Sequence, residues 1–141
     1  MTDDISLPVF TLKRGTLPML VSIPHLGREI PSEISASMSA VAANNDDCDW
    51  HLDRLYAVVK ELGASVITPT CSRYVIDLNR PPDGQNLYPG QKTTGLVPID
   101  TFDEKPLYPD GRAPSQEEVA RRREKYWKPY HEALMQELAR L

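Results

Sequence analysis

The chain has 141 residues and a mass of 15.9 kDa, about the size of one compact domain. Its 40% hydrophobic and 26% charged residues are globular usage, well away from that of disordered chains. A formal net charge of -4 leaves no general basic footprint for nucleic acid or an anionic membrane, and apolar runs such as Pro18 to Ile23 are far short of a membrane span.

A soluble, cytoplasmic protein is therefore expected, since the N-terminus has no basic start followed by an apolar run. Cys48 and Cys71 are far apart without metal-ligand spacing and read as two reduced thiols. In chain order, residues 18 to 24 form an apolar run bounded by prolines and predict a short buried strand with His25 just past its end. From Asp49 to Leu62, the residues Leu52, Leu55, Tyr56, Val59 and Leu62 line one face of a helix that Gly63 stops. Residues 65 to 69 and 73 to 78 are short and rich in β-branched side chains, so both predict strands.

Between residues 80 and 114 the density of proline and glycine forbids long helices and central strands. Leu87, Tyr88, Leu96, Phe102, Leu107 and Tyr108 give this long loop material to pack, which favours order. Ser115 to Glu118 reads as a capping box opening a helix over 116 to 140. That helix would carry Trp127, Tyr130, Leu134, Leu138 and Leu141 on its apolar face and bend one turn before Pro129. The expected fold class is α/β, a mostly parallel sheet flanked by helices, in one domain over residues 1 to 141.

Four groups of residues could carry chemistry. His25 lies at a strand end, where α/β sheets bind ligands, although a turn histidine is often only a hydrogen-bonded residue. Asp49 and Asp53 are four apart at the helix start, so with a nearby imidazole they would suit zinc; helix N-terminal acids stabilised by the macrodipole are the plainer reading. Arg73, Asp77 and Asn79 would share one strand face with Arg80 at its end, suited to gripping a substrate carboxylate or, equally, to an internal Arg–Asp brace. Arg121, Arg122 and Arg123 read as a solvated face, with an anion site as the alternative.

Five strings in order, Ser22-Ile23-Pro24-His25-Leu26-Gly27, Asp49 to Tyr56, Ser72 to Arg80, Leu87 to Gln91 and Tyr126 to His131, resemble the N-formylglutamate amidohydrolase family. The resemblance implies a fold related to the zinc-dependent exopeptidases and hydrolysis of a small N-acyl amino acid, N-formyl-L-glutamate, to formate and L-glutamate at the end of histidine degradation. It makes His25 one zinc ligand and Asp53, preferred over Asp49, a second; Arg73, Asn79 and Arg80 would hold the substrate carboxylates, and Glu29 would serve in catalysis. Similar family members continue well beyond the Tyr126 to His131 helix into an Asp-x-His-Ser segment expected to add a histidine ligand, whereas this chain stops at Leu141.

A catalytic zinc site generally takes three protein ligands, and His131 reads better as a helix-face residue beside Trp127 than as the third. The alternative expectation is thus a catalytically incompetent, truncated homologue acting as a carboxylate-binding or structural module. Truncation also predicts exposed apolar surface, and hence a homodimer or poor solubility.

Overall fold

The computed structural model describes residues 8 to 49, 52 to 84 and 95 to 141, with the backbone alone for Asp53. Three strands form one sheet: β1 (Phe10–Lys13), β2 (Leu20–Ser22) and β3 (Ser65–Pro69), in the order β1, β3, β2. β3 is buried along its whole length, in keeping with its central β-branched Val66-Ile67-Thr68 and the lack of regular polar alternation. β2 runs parallel to it, with Val21 opposite Val66, and β1 runs antiparallel, with Leu12 opposite Ile67. The sheet is therefore mixed, which corrects the expected mostly parallel arrangement. The antiparallel member is β1, whose Phe-Thr-Leu-Lys alternates half-buried and exposed residues and gave no strong signal.

The expected strand over 73 to 78 does not form. Tyr74 N–H donates to Ser72 Oγ at 3.1 Å and Val75 N–H to Ser72 O at 3.0 Å, so the chain turns at once. Downstream, Asn79 N–H donates to Asp77 Oδ1 at 2.9 Å, a local aspartate turn that competes with any ladder. The segment is nonetheless buried from Ser72 through Leu78.

Two short helical turns missed in the sequence, α1 (Ser32–Ser35) and a 3-10 turn (Ala40–Asn44), follow β2. The predicted first long helix appears as α2 (Asp53–Glu61), starting later than Asp49, and Gly63 ends it at φ +87. In the described part of the long loop, Leu96, Leu107 and Tyr108 join the core with Ile34, Ile67, Tyr74 and Tyr130, in line with the expectation of order there. Leu87 and Tyr88 lie outside the described residues.

The terminal helix forms as α3 (Gln116–Arg122), a π-helical turn (Arg123–Trp127) and α4 (Lys128–Arg140). Ser115 Oγ accepts Glu118 N–H at 3.2 Å, but the Glu118 carboxylate binds Arg121 and Arg122 instead of closing the capping box. The π turn sits directly before Pro129, which cannot donate to the preceding turn. The extra residue changes which side faces in: Tyr126, Tyr130, Ala133 and Glu137 are buried, whereas Leu138 is exposed.

Glu137 fastens α4 to the sheet. Its carboxylate accepts Ser65 Oγ–H from β3 and two bonds from Arg140 at 2.6 and 2.7 Å, while Arg140 also reaches Gly15 O at 2.8 Å. The bonds from Arg140, then Ser65, outweigh desolvation and hold the Glu137 carboxyl down at about 2. Because the folded value is depressed, its stabilisation is present above the ordinary glutamate pKa of about 4.3 and is lost as pH falls toward about 2. Acid denaturation of Glu137→Gln, followed by circular dichroism, should show a shallower loss of stability over that interval than the parent.

Candidate metal and carboxylate site

β2 ends at Ser22, and Ile23 N–H extends the ladder by donating to Ile67 O at 3.0 Å, so His25 emerges at the carboxyl end of the parallel pair. Gly27 lets this turn lie against the segment after β3: a Cβ there would stand 2.3 Å from Cys71 O. The contact brings His25 to the buried turn over 72 to 78, and His25 Nε2 meets Asp77 Oδ1 at 2.7 Å. Asp77 is inaccessible to solvent. Its other oxygen accepts Arg73 NH2 at 2.8 Å and lies 3.9 Å from Arg80 NH1.

Burial pushes the Asp77 carboxyl up, but the hydrogen bond and charge of His25, the charge of Arg73 and the Asn79 amide outweigh it, leaving it below the usual aspartate range. A carboxylate that accepts from Nε2 fixes that nitrogen as the protonated one and leaves the Nδ1 lone pair available. Among the described residues, Nδ1 has no hydrogen-bond partner.

Arg73 is buried between Asp77 and Asp47 O, at 3.0 Å, with its guanidinium 5.0 Å from the centre of the Phe102 ring. Its Nε is buried without a partner among the described residues. Arg80 NH1 donates to Asn79 O at 2.9 Å, and the Asn79 residue is exposed. Arg73, Asn79 and Arg80 thus gather around Asp77 as the sequence suggested, although on a turn and not a strand. The Arg–Asp brace is formed.

Asp49 N–H donates to His25 O at 2.9 Å, which holds the start of the Asp49 to Asp53 segment beside the histidine. The Asp53 backbone opens α2; its side chain and His51 lie outside the described residues. Glu29 is exposed and bridges to Cys71, so its backbone runs alongside the segment after β3. No hydrogen bond or ion pair among the described residues joins its carboxylate to His25 or Asp77. His131 stacks on Trp127 with ring centres 3.9 Å apart and its Nε2–H donates to Leu78 O at 2.9 Å; burial lowers its pKa. With Trp127 Nε1–H on Arg80 O at 3.0 Å, it holds the segment that carries Asn79 and Arg80 in place.

A family model described as N-formylglutamate amidohydrolase matches residues 17 to 141. The chain belongs to the N-formylglutamate amidohydrolase family. It is 47% identical over 133 residues to an N-formylglutamate deformylase of Pseudomonas aeruginosa, covering 94% of this chain and 50% of that one. To a deformylase of Pseudomonas putida it is 44% identical, covering 94% and 49%. The crystal structure of an N-formylglutamate amidohydrolase from Ralstonia eutropha JMP134 superposes with a TM-score of 0.75 at 28% identity, over 94% of this chain and 51% of that one. This family member therefore spans about half the length of the relatives it matches.

The donor chemistry fits a divalent ion in kind and, among the described residues, falls short in number. A histidine whose second nitrogen is held by a buried carboxylate is the usual outer-shell arrangement of a metal-binding imidazole. Among the described residues, no three His, Cys, Asp or Glu side chains gather to hold an ion. Two residues at the site were underrated from sequence. Asp77 proves central, and its signal was a charge inside the apolar run Tyr74 to Leu78. Asp47 ties the site's outer wall together, with Oδ2 accepting Tyr74 O–H at 2.9 Å and Phe102 N–H at 3.0 Å; nothing in its sequence setting marked it.

Proposed function

We propose that this chain carries the first metal ligand and the carboxylate-binding residues of a metal-dependent hydrolase of N-formyl-L-glutamate. Two curated relatives are named N-formylglutamate deformylase. The single observation that carries the reading is the 2.7 Å contact between His25 Nε2 and a fully buried Asp77. Asp77 orients the imidazole and presents Nδ1. His25 and an acid of the 49 to 53 segment, Asp53 by preference, would hold zinc, with the third ligand supplied from outside these 141 residues.

When bound, such an ion polarises the formyl carbonyl and lowers the pKa of its water. This chain's own residues bind and orient the substrate. Arg80 and Asn79, at the outer end of the buried turn, take the substrate carboxylates; Arg73, already held by Asp77 and Asp47 O, contributes fixed positive charge behind them. Glu29 is assigned proton transfer to the departing amine. The resemblance of the fold to zinc exopeptidases, the place in histidine degradation and the cytoplasmic setting belong to the same proposal.

The test is formate release from N-formyl-L-glutamate together with zinc content, measured on this chain and on this chain joined to the uncovered half of the P. aeruginosa relative. The joined protein is expected to release formate, His25→Ala to drop to background, and Arg80→Ala to raise KM by about 10- to 100-fold, the loss of one charged hydrogen-bonded contact. L-glutamate binding without formate release in the joined protein would overturn hydrolysis in favour of a carboxylate-binding module.

A further inference from the structure

We propose that His131 is a positioning residue for the candidate site: through the single peptide unit between Leu78 and Asn79, it fixes the oxygen of Asp77 that holds His25. The inference rests on the roles proposed above for His25 and Asp77 and extends them to a residue on a distant helix.

The bonds run in one unbroken line. His131 Nε2–H donates to Leu78 O at 2.9 Å. The same peptide unit presents Asn79 N–H on its other side, and that group donates to Asp77 Oδ1 at 2.9 Å. Asp77 Oδ1 in turn accepts His25 Nε2–H at 2.7 Å. Because a peptide unit is planar, with its C=O and N–H pointing opposite ways, it turns as one rigid piece. Any rotation that carries Leu78 O away from His131 also swings Asn79 N–H off Asp77. The line is inside the protein, with Leu78 buried and Asp77 inaccessible, and hydrogen bonds in series polarise one another most strongly in such a setting.

The carbonyl end needs its donor. Leu78 O belongs to no strand ladder, and among the described residues the imidazole is the donor it has. The imidazole is itself held for the task. It stacks on Trp127 with ring centres 3.9 Å apart and 23° between the planes, while Trp127 Nε1–H donates to Arg80 O at 3.0 Å. One aromatic pair therefore takes the carbonyls on both sides of Asn79. The pair stands where the π-helical turn passes into α4: the turn ends at Trp127 and Pro129 follows, so the extra residue sets the phase that aims both rings at this segment. Burial lowers the His131 pKa and keeps the ring neutral, with Nε2 as its protonated nitrogen.

The test is nitrogen NMR of the three imidazoles near neutral pH, without metal or substrate, in the parent, His131→Phe and His131→Gln. Phenylalanine keeps a ring to stack on Trp127 but has no donor; glutamine can present an N–H where histidine has Nε2–H. In the parent, both His131 and His25 should be protonated at Nε2. In His131→Phe the His25 Nε2–H resonance should move, and the Asn79 amide should exchange about tenfold faster or more, as local opening becomes easier. His131→Gln should recover both signals. In the joined protein, His131→Phe should lower kcat about three- to tenfold, less than is usual for a direct outer-shell partner, with KM within about twofold.

Either imidazole protonated at Nδ1 in the parent would overturn the proposal, and this result needs no variant to fold. A folded His131→Phe with the His25 and Asn79 signals unmoved would also overturn it, as would a folded His131→Gln that recovers neither; loss of stability alone would mark His131 as a packing residue. A joined parent protein that releases no formate would defeat the hydrolytic reading instead, and the resonances of His25 and Asn79, read without ion or substrate, would still decide this one.

Discussion

Replacing Asp77 by alanine should destabilise the fold by about 3 to 5 kcal/mol, the usual cost of removing one member of a buried, hydrogen-bonded ion pair. The magnitude follows from what is left behind. Arg73 has a side chain only 6% exposed and would lose the carboxylate it is paired with. His25 Nε2 and the Asn79 amide would lose the acceptor they share. Urea unfolding should report the loss, with a melting temperature lower by on the order of 10 °C.

Asp77→Asn keeps the shape and an acceptor but not the charge, and should fall between. The double variant Arg73→Met, Asp77→Ala should cost less than the sum of its parts, because no uncompensated charge remains inside. The pH dependence has a definite sign. The Asp77 carboxyl is depressed on folding, so its contribution is present above the ordinary aspartate pKa and lost as pH falls through the folded value. An Asp77→Ala chain within about 1 kcal/mol of the parent would mean that the turn is held by packing alone.

The second large effect is expected at Arg122, from the arginine cluster that sequence alone reads as a solvated face. Its side chain is only 2% exposed. Nε donates to Glu118 at 2.7 Å, and NH1 to Tyr108 O–H at 2.8 Å and to Val75 O at 3.2 Å, joining α3 to the long loop and to the turn that carries Asp77. Arg122→Ala removes charge-assisted bonds, leaves buried oxygens without a donor and opens a void, for a loss of about 3 kcal/mol.

Its neighbour is the control. Arg121 makes two short bonds to the same Glu118, at 2.7 and 2.9 Å, yet its side chain is 42% exposed. Solvent screens that pair, and Arg121→Ala should cost no more than about 1 kcal/mol. Chemical denaturation of the two variants side by side separates burial from bond count; equal losses would contradict the argument.

These two residues also show where the sequence was legible. β3 could be read because a strand covered on both faces shows no regular polar alternation and carries the β-branched Val66, Ile67 and Thr68, and α2 because Gly63 supplies the positive φ that ends it. The terminal helix was legible in extent but not in phase: the π turn before Pro129 rotates α4, so Glu137 takes an inward position and Leu138 faces out. β1 escaped because half-buried edge residues alternate too weakly to stand out. The 73 to 78 segment was misread as a strand because apolar content alone cannot distinguish a buried turn from a buried strand. The residues that the structure gathers around Asp77 could be picked out from sequence, since a histidine at a strand end and charges within an apolar run are visible in one dimension. Their convergence on Asp77 depends on the close approach at Gly27, which is visible only in three.

The central claim is that Asp77 holds His25 by Nε2 so that Nδ1 can bind a divalent ion. Its most direct test is a zinc titration followed through the imidazole nitrogen resonances of the three histidines. The expected result is a change at Nδ1 of His25 with Nε2 still protonated, and an apparent zinc affinity reduced about 10- to 100-fold in Asp77→Asn. A His25 spectrum unmoved at saturating zinc, or a response confined to His51 or His131, would contradict it.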